Sequence, residues 1–220
     1  CIGCRTCMNV CGKGALEFDG KKAVWNPQLC DNCGKCAEAC PTQALEMVGG
    51  FCEPQEVWNR VKADIPYFER TNGGITVSGG EPLLYAEWVK AFAVGAKNEW
   101  NKFHLAVDTA GNVPWTQFET VLEVADLFLY DLKIMDEKLH REMTGCGNQM
   151  ILDNFRKLCQ TGRRIWVRVP LIPAINDTEQ EKKARAEFLK DCKNVEKVEF
   201  LPYHTYGIGK YEALGWKYRL

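Results

Sequence analysis

The chain has 220 residues, 46% of them hydrophobic, and its 28 Lys and Arg against 29 Asp and Glu leave a net charge of -1 at pH 7. This length and apolar content predict one medium domain with room for a small insert, and the balanced charge excludes a global positive field for nucleic acid or an anionic membrane. No apolar run approaches the ~20 residues of a membrane span and no signal peptide is visible, so neither a membrane nor a nucleic acid is expected as a partner.

Eight of the 12 cysteines fall in the first 40 positions. Cys1, Cys4, Cys7 and Cys11 form C-x2-C-x2-C-x3-C, and Cys30, Cys33, Cys36 and Cys40 repeat the spacing, the second copy ending in Cys40-Pro41. This is the pattern of two-cluster bacterial ferredoxins, in which three thiolates on a tight loop hold three corners of a cubane and the fourth comes from the other half. By that rule Cys1, Cys4, Cys7 and Cys40 hold one 4Fe-4S cluster, and Cys30, Cys33, Cys36 and Cys11 the other. A disulfide framework predicts no duplicated spacing, and four-Cys zinc sites use two separated C-x2-C pairs without a third Cys two residues on. Residues 1–50 therefore read as a ferredoxin-like domain, with Gly3, Gly12 and Gly34 suiting loops that press amides toward sulfides.

Residues 51–220 have a different texture. In "PQEVWNRVKADIPYFER", Val57, Val61, Ile65 and Phe68 recur at helical spacing and predict one amphipathic helix. A strand follows in "GGITVSGG", a helix from about Tyr85 to Trp100, a strand in "FHLAVDTAG" and a helix from about Pro114 to Ala125. "LFLYDLKI", helical segments through Leu158, "RIWVRVPLI", a helix from about Thr178 to Cys192 and "VEKVEFLPYH" complete the alternation. Strands of this length alternating with helices predict an α/β fold with a parallel sheet and crossover helices. Cys159 and Cys192 lie on apolar helical stripes and read as core packing, while Cys52 and Cys146 fall in loops and receive no role.

In such folds function collects past the carboxyl ends of the strands. Those ends carry Ser78-Gly79-Gly80-Glu81-Pro82, Asp108-Thr109, Asp131-Leu132-Lys133, Arg168 and His204. Asp131 and Lys133, two apart on one strand, would face the same side. An amino-acid-like ligand suits this set. Its ammonium could meet carbonyls of the Gly79-Gly80 turn with Glu81 or Asp108, and its carboxylate could pair with Lys133, Arg168 or His204.

These residues carry a resemblance. A two-cluster insert followed by "GGITVSGGEPLL", "VDTAG", "LYDLKIMDEKLHREMTG", "VRVPLIPAIND" and "LPYHTYGIGKYEALG" resembles the activating enzymes of glycyl radical enzymes, a branch of the radical S-adenosylmethionine superfamily, over essentially the whole chain. The resemblance implies a partial (β/α) barrel and an oxidoreductase that reductively cleaves S-adenosylmethionine, whose 5′-deoxyadenosyl radical takes a hydrogen from a glycine of the partner enzyme. It implies that Gly79, Gly80 and Glu81 meet the methionyl amino group, that Asp108, Lys133 and His204 contact the amino-acid moiety, and that Arg168 lines the active-site wall. Asp108 with Asp131 would hold a monovalent cation in some members.

Members of that family carry a further C-x3-C-x2-C after the first barrel strand, and its 4Fe-4S cluster does the chemistry. Cys7 and Cys11 form a C-x3-C, but position 14 is Gly14 and both cysteines belong to the ferredoxin pattern. The expectation is an N-terminally truncated chain missing the first strand, the catalytic cluster and a short C-terminal piece, inactive alone, with a third cluster in the complete protein. The two-cluster insert matches the branch that serves diol or glycerol dehydratases, choline lyases and arylacetate decarboxylases, whose motifs do not separate one partner from another. A low-potential donor such as flavodoxin or ferredoxin is implied, and oxygen-sensitive clusters point to a reducing, anoxic cytoplasm. Two alternatives fit the residues less well. A plain two-cluster electron-transfer protein leaves the strand-end residues without a purpose. Another radical enzyme with auxiliary clusters, of the sulfatase-maturing type, carries its extra cysteines mostly after the barrel.

Overall fold

Each cysteine run folds onto a single helical turn, α1 (Thr6–Asn9) and α2 (Lys35–Glu38), so the sequence duplication is a backbone duplication too. The equivalent pairs Gly3/Asn32, Arg5/Gly34 and Gly14/Gln43 all have positive φ. Between the runs, β1 (Leu16–Phe18) and β2 (Ala23–Trp25) pair antiparallel, Leu16 opposite Trp25. The computed structural model describes residues 1–214 and 216–218. Its chain divides into two compact units, one made of Cys1–Phe51 with the segment from His204 onward, the other of Cys52–Tyr203. The first also holds α10 (Ile208–Ala213).

The second unit begins with α3 (Pro54–Val61), whose N-terminus is closed by a capping box between Glu53 and Glu56 with Pro54 in the first turn. The single helix expected here is two. A 3-10 turn over Lys62–Asp64 separates α3 from α4 (Ile65–Thr71), because Pro66 has no N–H to continue the ladder and restarts the helix near its own N-terminus. The apolar stripe survives the break, with Val57, Ile65 and Phe68 packed on the core. Trp58, which the spacing did not single out, is the best-buried residue of α3 and sits edge-on to Phe92 and Phe103.

A five-stranded parallel sheet follows in strict chain order, β3 (Ile75–Val77), β4 (Leu105–Thr109), β5 (Leu127–Asp131), β6 (Arg164–Leu171) and β7 (Val195–Pro202). Strands added one after another, with no order reversal, make the wall of a (β/α) barrel rather than a doubly wound sheet. The crossovers are α5 (Ala86–Glu99), α6 (Trp115–Val121), the pair α7 (Glu137–Thr144) and α8 (Gln149–Gln160), and α9 (Glu179–Leu189). Alternation sorts the strand residues. Leu105, Val107, Phe128, Tyr130, Ile165, Val167 and Val169 are buried in a core completed by Phe92, Phe118 and Phe155 from the helices. Their neighbours Asp108, Asp131 and Arg168 therefore point to the opposite face.

Two local details fix the strand ends. Gly111, just past β4, has φ +73°, and a Cβ there would collide with the buried Tyr130 hydroxyl, which itself donates to the Ile151 carbonyl at 2.7 Å. β5 stops at Asp131, so Lys133 lies beyond the strand on which it was expected. The Leu132 N–H still donates to the Arg168 carbonyl at 2.9 Å, but the Lys133 carbonyl is taken by the Asn176 side chain at 2.6 Å, and the ladder ends. Cys159 and Cys192 pack against the core as expected, and in addition are joined as a disulfide across a Cα–Cα distance of 5.3 Å. Among the described residues no helix is long and apolar enough to cross a membrane.

Candidate functional site

Three neighbouring strands bring their polar residues to one edge. The register sets Asp131 opposite Arg168 and Asp108 opposite Leu129, so Arg168 on β6 can reach both aspartates from the same face. Its Nη2 donates to Asp108 Oδ1 at 2.6 Å and to Asp131 Oδ1 at 3.1 Å, and its Nε donates to Asp131 Oδ1 at 3.2 Å. Lys133 Nζ stands 3.4 Å from Asp131 Oδ2, and Ser78 Oγ donates to Asp108 Oδ2 at 2.9 Å. The result is a continuous array, Ser78, Asp108, Arg168, Asp131, Lys133, with charges of both signs. The aspartate side chains are about 15% exposed and Lys133 is 39% exposed, so the lysine is the cation with most room for a further anion. Although Lys133 has left the strand, it shares a side with Asp131.

The Gly79-Gly80-Glu81-Pro82 turn is tied to the same edge by its carboxylate. Glu81 Oε1 accepts from Thr109 Oγ1 at 2.8 Å and from the Leu83 N–H at 3.2 Å, and Oε2 accepts from the Ala110 N–H at 2.9 Å. Gly79 has φ +130°, and among the described residues no atom beyond the adjoining residues lies within 4 Å of where a Cβ would stand on Gly79 or Gly80. The turn thus combines a fixed anchor with a bare backbone facing open space, which permits close approach by a ligand. His204 falls in the other compact unit, two residues past β7, with its ring 4.7 Å from that of Tyr206.

In the cysteine-rich unit, Cys1, Cys4, Cys7 and Cys40 line one cavity of about 190 Å³ together with Met8, Phe18 and Leu45. The spacing rule names the same four thiols as one ligand set, and the cavity gives them a shared, partly apolar space that fits a cubane. Hydrogen bonds reach the sulfurs in a repeated manner. The Ala15 N–H donates to Cys11 Sγ at 3.3 Å and the Ala44 N–H to Cys40 Sγ at 3.2 Å, the fourth cysteine of each run receiving the same bond. The Asn32 N–H donates to Cys30 Sγ at 3.3 Å, and Thr6 Oγ1 to Cys4 Sγ at 3.4 Å. Backbone N–H groups of Leu45 and Thr42 bring the Cys40 thiol down to about 7, the Thr6 hydroxyl lowers Cys4, and burial raises Cys7. Among the described residues no group of three or more His, Cys, Asp or Glu side chains closes to single-ion distance.

Two family models match the chain, and their ranges overlap at residues 40–44. The radical SAM superfamily model matches residues 40–185, and the 4Fe-4S dicluster domain model matches residues 1–44. Isethionate sulfite-lyase activating enzyme of Oleidesulfovibrio alaskensis is 37% identical over 96% of this chain and 68% of its own length. Trans-4-hydroxy-L-proline dehydratase activating enzyme of Clostridioides difficile is 35% identical over 99% and 72%, and pyruvate formate-lyase-activating enzyme of Clostridium pasteurianum 35% over 86% and 79%. The chain belongs to the glycyl radical enzyme activating enzymes. The fold agrees with the family. A domain of pyruvate-formate lyase-activating enzyme from Bacteroides vulgatus superposes with a TM-score of 0.56 at 30% identity, covering 66% of this chain and 96% of that one. Streptococcus suis SuiB shares the fold at 14% identity, with a TM-score of 0.59, covering 80% of this chain and 38% of its own.

For an activating enzyme of this kind, sequence reasoning named the residues of the sheet edge but not their wiring. Arg168, expected as a partner of the ligand carboxylate or as part of the wall, is the hub between the two aspartates. The alternation Arg164, Trp166, Arg168 on β6 was the available signal. Thr109, in sequence simply the neighbour of Asp108, supplies a hydroxyl that is one of the anchors of Glu81.

Proposed function

We propose that the strand-end array binds the methionyl moiety of S-adenosylmethionine and orients it for reductive cleavage, so that the chain's barrel serves the installation of a glycyl radical on a partner enzyme. The observation that carries the reading is the Asp108–Arg168–Asp131–Lys133 array at the carboxyl edge of a radical SAM sheet. Arg168 is already shared between Asp108 and Asp131, so its role is to hold two carboxylates side by side against their repulsion. Lys133 keeps donors free for the methionyl carboxylate, and the bare backbone of Gly79 and Gly80 faces its ammonium with the aspartates nearby.

Eight cysteines hold two 4Fe-4S clusters, Cys1, Cys4, Cys7 and Cys40 at the cavity described and Cys11, Cys30, Cys33 and Cys36 at the second. The N–H···S bonds to Cys11, Cys30 and Cys40 are of the kind that tune cluster potential. A third 4Fe-4S cluster, on a C-x3-C-x2-C run of the kind the family carries, would supply the electron. One electron and S-adenosylmethionine give methionine and a 5′-deoxyadenosyl radical. That radical takes the glycine hydrogen and leaves as 5′-deoxyadenosine. The partner is a glycyl radical enzyme, the donor a flavodoxin or ferredoxin, and the compartment an anoxic cytoplasm.

The test is a titration of the reduced full-length holoenzyme with S-adenosylmethionine, following 5′-deoxyadenosine and methionine by chromatography. Equal amounts of the two products are expected from the parent. Lys133→Ala is expected to raise KM by at least about tenfold, the size of a lost charge-assisted bond. A parent-like KM in Lys133→Ala would sink the assignment of the array.

A further inference from the structure

The loop that follows β5 is held by side chains from α9 and from the loops that precede α8 and α9. Asn176, 1% exposed, donates its Nδ2 to the Lys133 carbonyl at 2.6 Å and to the Pro170 carbonyl at 2.7 Å, while its Oδ1 accepts from the Ile172 N–H at 2.7 Å. Asn148, 2% exposed, donates to the Ile134 and Met135 carbonyls at 3.1 and 2.8 Å. Glu181, 4% exposed, accepts the consecutive N–H groups of Met135 and Asp136 at 2.8 and 2.9 Å. The carbonyls of Lys133, Ile134 and Met135 and the amides of Met135 and Asp136 are thus all bonded to buried side chains.

The Glu181 bond is the most informative, because local sequence assigns that carboxylate elsewhere. Thr178-Glu179-Gln180-Glu181 has the spacing of a capping box, in which the glutamate would turn back to the Thr178 amide. Thr178 does cap α9, accepting from the Glu181 N–H at 3.3 Å. The Glu181 carboxylate instead crosses to the β5 loop. It is kept company by Arg185, 2% exposed, which donates to it from Nη2 at 3.3 Å and whose Nε and Nη1 have no hydrogen-bond partner among the described residues. Burying a carboxylate and a partly unpaired guanidinium is costly, and the bonds gained by the Lys133–Asp136 loop are what set that cost to use.

We propose that Asn176, Asn148 and Glu181 are positioning residues for S-adenosylmethionine: they clamp the backbone from Lys133 to Asp136 so that the Lys133 ammonium is presented beside Asp131 and its strength of binding to the methionyl carboxylate is set by the clamp. The proposal rests on the reading of Lys133 given above. It explains why Lys133 keeps its side next to Asp131 after the strand has ended, and it assigns a purpose to three buried polar groups that packing alone would replace with apolar ones.

The experiment is isothermal titration of the anaerobically reconstituted full-length holoenzyme with S-adenosylmethionine and, separately, with its decarboxylated form. Lys133→Ala sets the reference and is expected to weaken the first ligand and leave the second unchanged. Glu181→Gln keeps the shape but turns a donor toward an N–H. It is expected to weaken S-adenosylmethionine about tenfold (~1.4 kcal/mol), to leave the decarboxylated ligand unchanged, and to add less than about twofold when combined with Lys133→Ala. Faster hydrogen exchange at the Met135 and Asp136 amides is expected in the same variant. Asn176→Ser should give the same ligand pattern, and carries the comparison should Glu181→Gln not be recovered folded. Weakened binding in Lys133→Ala with parent-like affinity in Glu181→Gln and Asn176→Ser would overturn the clamp alone. Equal losses for both ligands would overturn it as well, making the three residues merely structural. Unchanged binding in Lys133→Ala would overturn the reading of the site and the clamp with it.

Discussion

The two compact units are folded by different means. In Cys52–Tyr203 the sheet and helices bury a core that includes Trp58, Phe92, Phe118, Phe128, Tyr130 and Phe155, each at most 2% exposed. In Cys1–Phe51 the described buried apolar residues are Cys7, Ala15 and Leu16, and large side chains such as Val48 and Phe51 face solvent. A segment this short of apolar burial depends on ligation for its order, as small metal domains do. The difference separates the tasks too. One unit is built to hold redox groups near its surface, and the other to hold a polar array rigid on the far side of a hydrophobic core.

The comparison breaks most decisively at the cysteines. Replacing Cys4 and Cys7 by Ala is expected to remove about four iron and four sulfide per chain and to open residues 1–51 to protease, while amides of β4 to β6 keep their protection in hydrogen exchange. Loss of protection in the sheet would show that the two units are not independently stabilised. The reverse experiment is Phe128→Ala, a fully buried ring between helices and sheet, expected to cost about 3–5 kcal/mol of denaturant stability with the iron content of residues 1–51 unchanged. At the small end stands Glu196, whose carboxyl is held below its usual range by the Arg164 guanidinium and the Trp166 indole, at 2.7 and 3.1 Å. A depressed carboxyl contributes stability at neutral pH that is lost as pH falls through its folded value. Glu196→Gln should therefore lower the melting temperature slightly at pH 7, an exposed pair being worth little, and match the parent in acid.

The parts legible in the sequence were those with a strict period. The duplicated cysteine spacing named a ligand set of which Cys1, Cys4, Cys7 and Cys40 meet around one cavity, and the alternation of apolar runs placed every strand of the sheet. What the sequence hid was long-range hydrogen bonding. Nothing local says that Glu181 bypasses its own helix for Met135 and Asp136, or that Asn176 ends β5 at Asp131 by taking the Lys133 carbonyl. Pro66 splitting the first helix was readable from its missing N–H, but the hydrophobic period runs through it and masked the break. Arg5 and Gln43 at positive φ follow from the repeated turn geometry and not from their own preferences. The bond between Cys159 and Cys192 joins residues 33 apart, a pairing that apolar periodicity does not report.

The most direct measurement uses a glycyl radical enzyme labelled with α,α-dideuterioglycine, incubated with the reduced full-length protein and S-adenosylmethionine. Deuterium in the 5′-deoxyadenosine, together with a glycyl radical signal in the partner and the loss of both in Arg168→Ala, is the predicted result. Unlabelled 5′-deoxyadenosine alongside a glycyl radical, or full labelling without Arg168, would contradict the account.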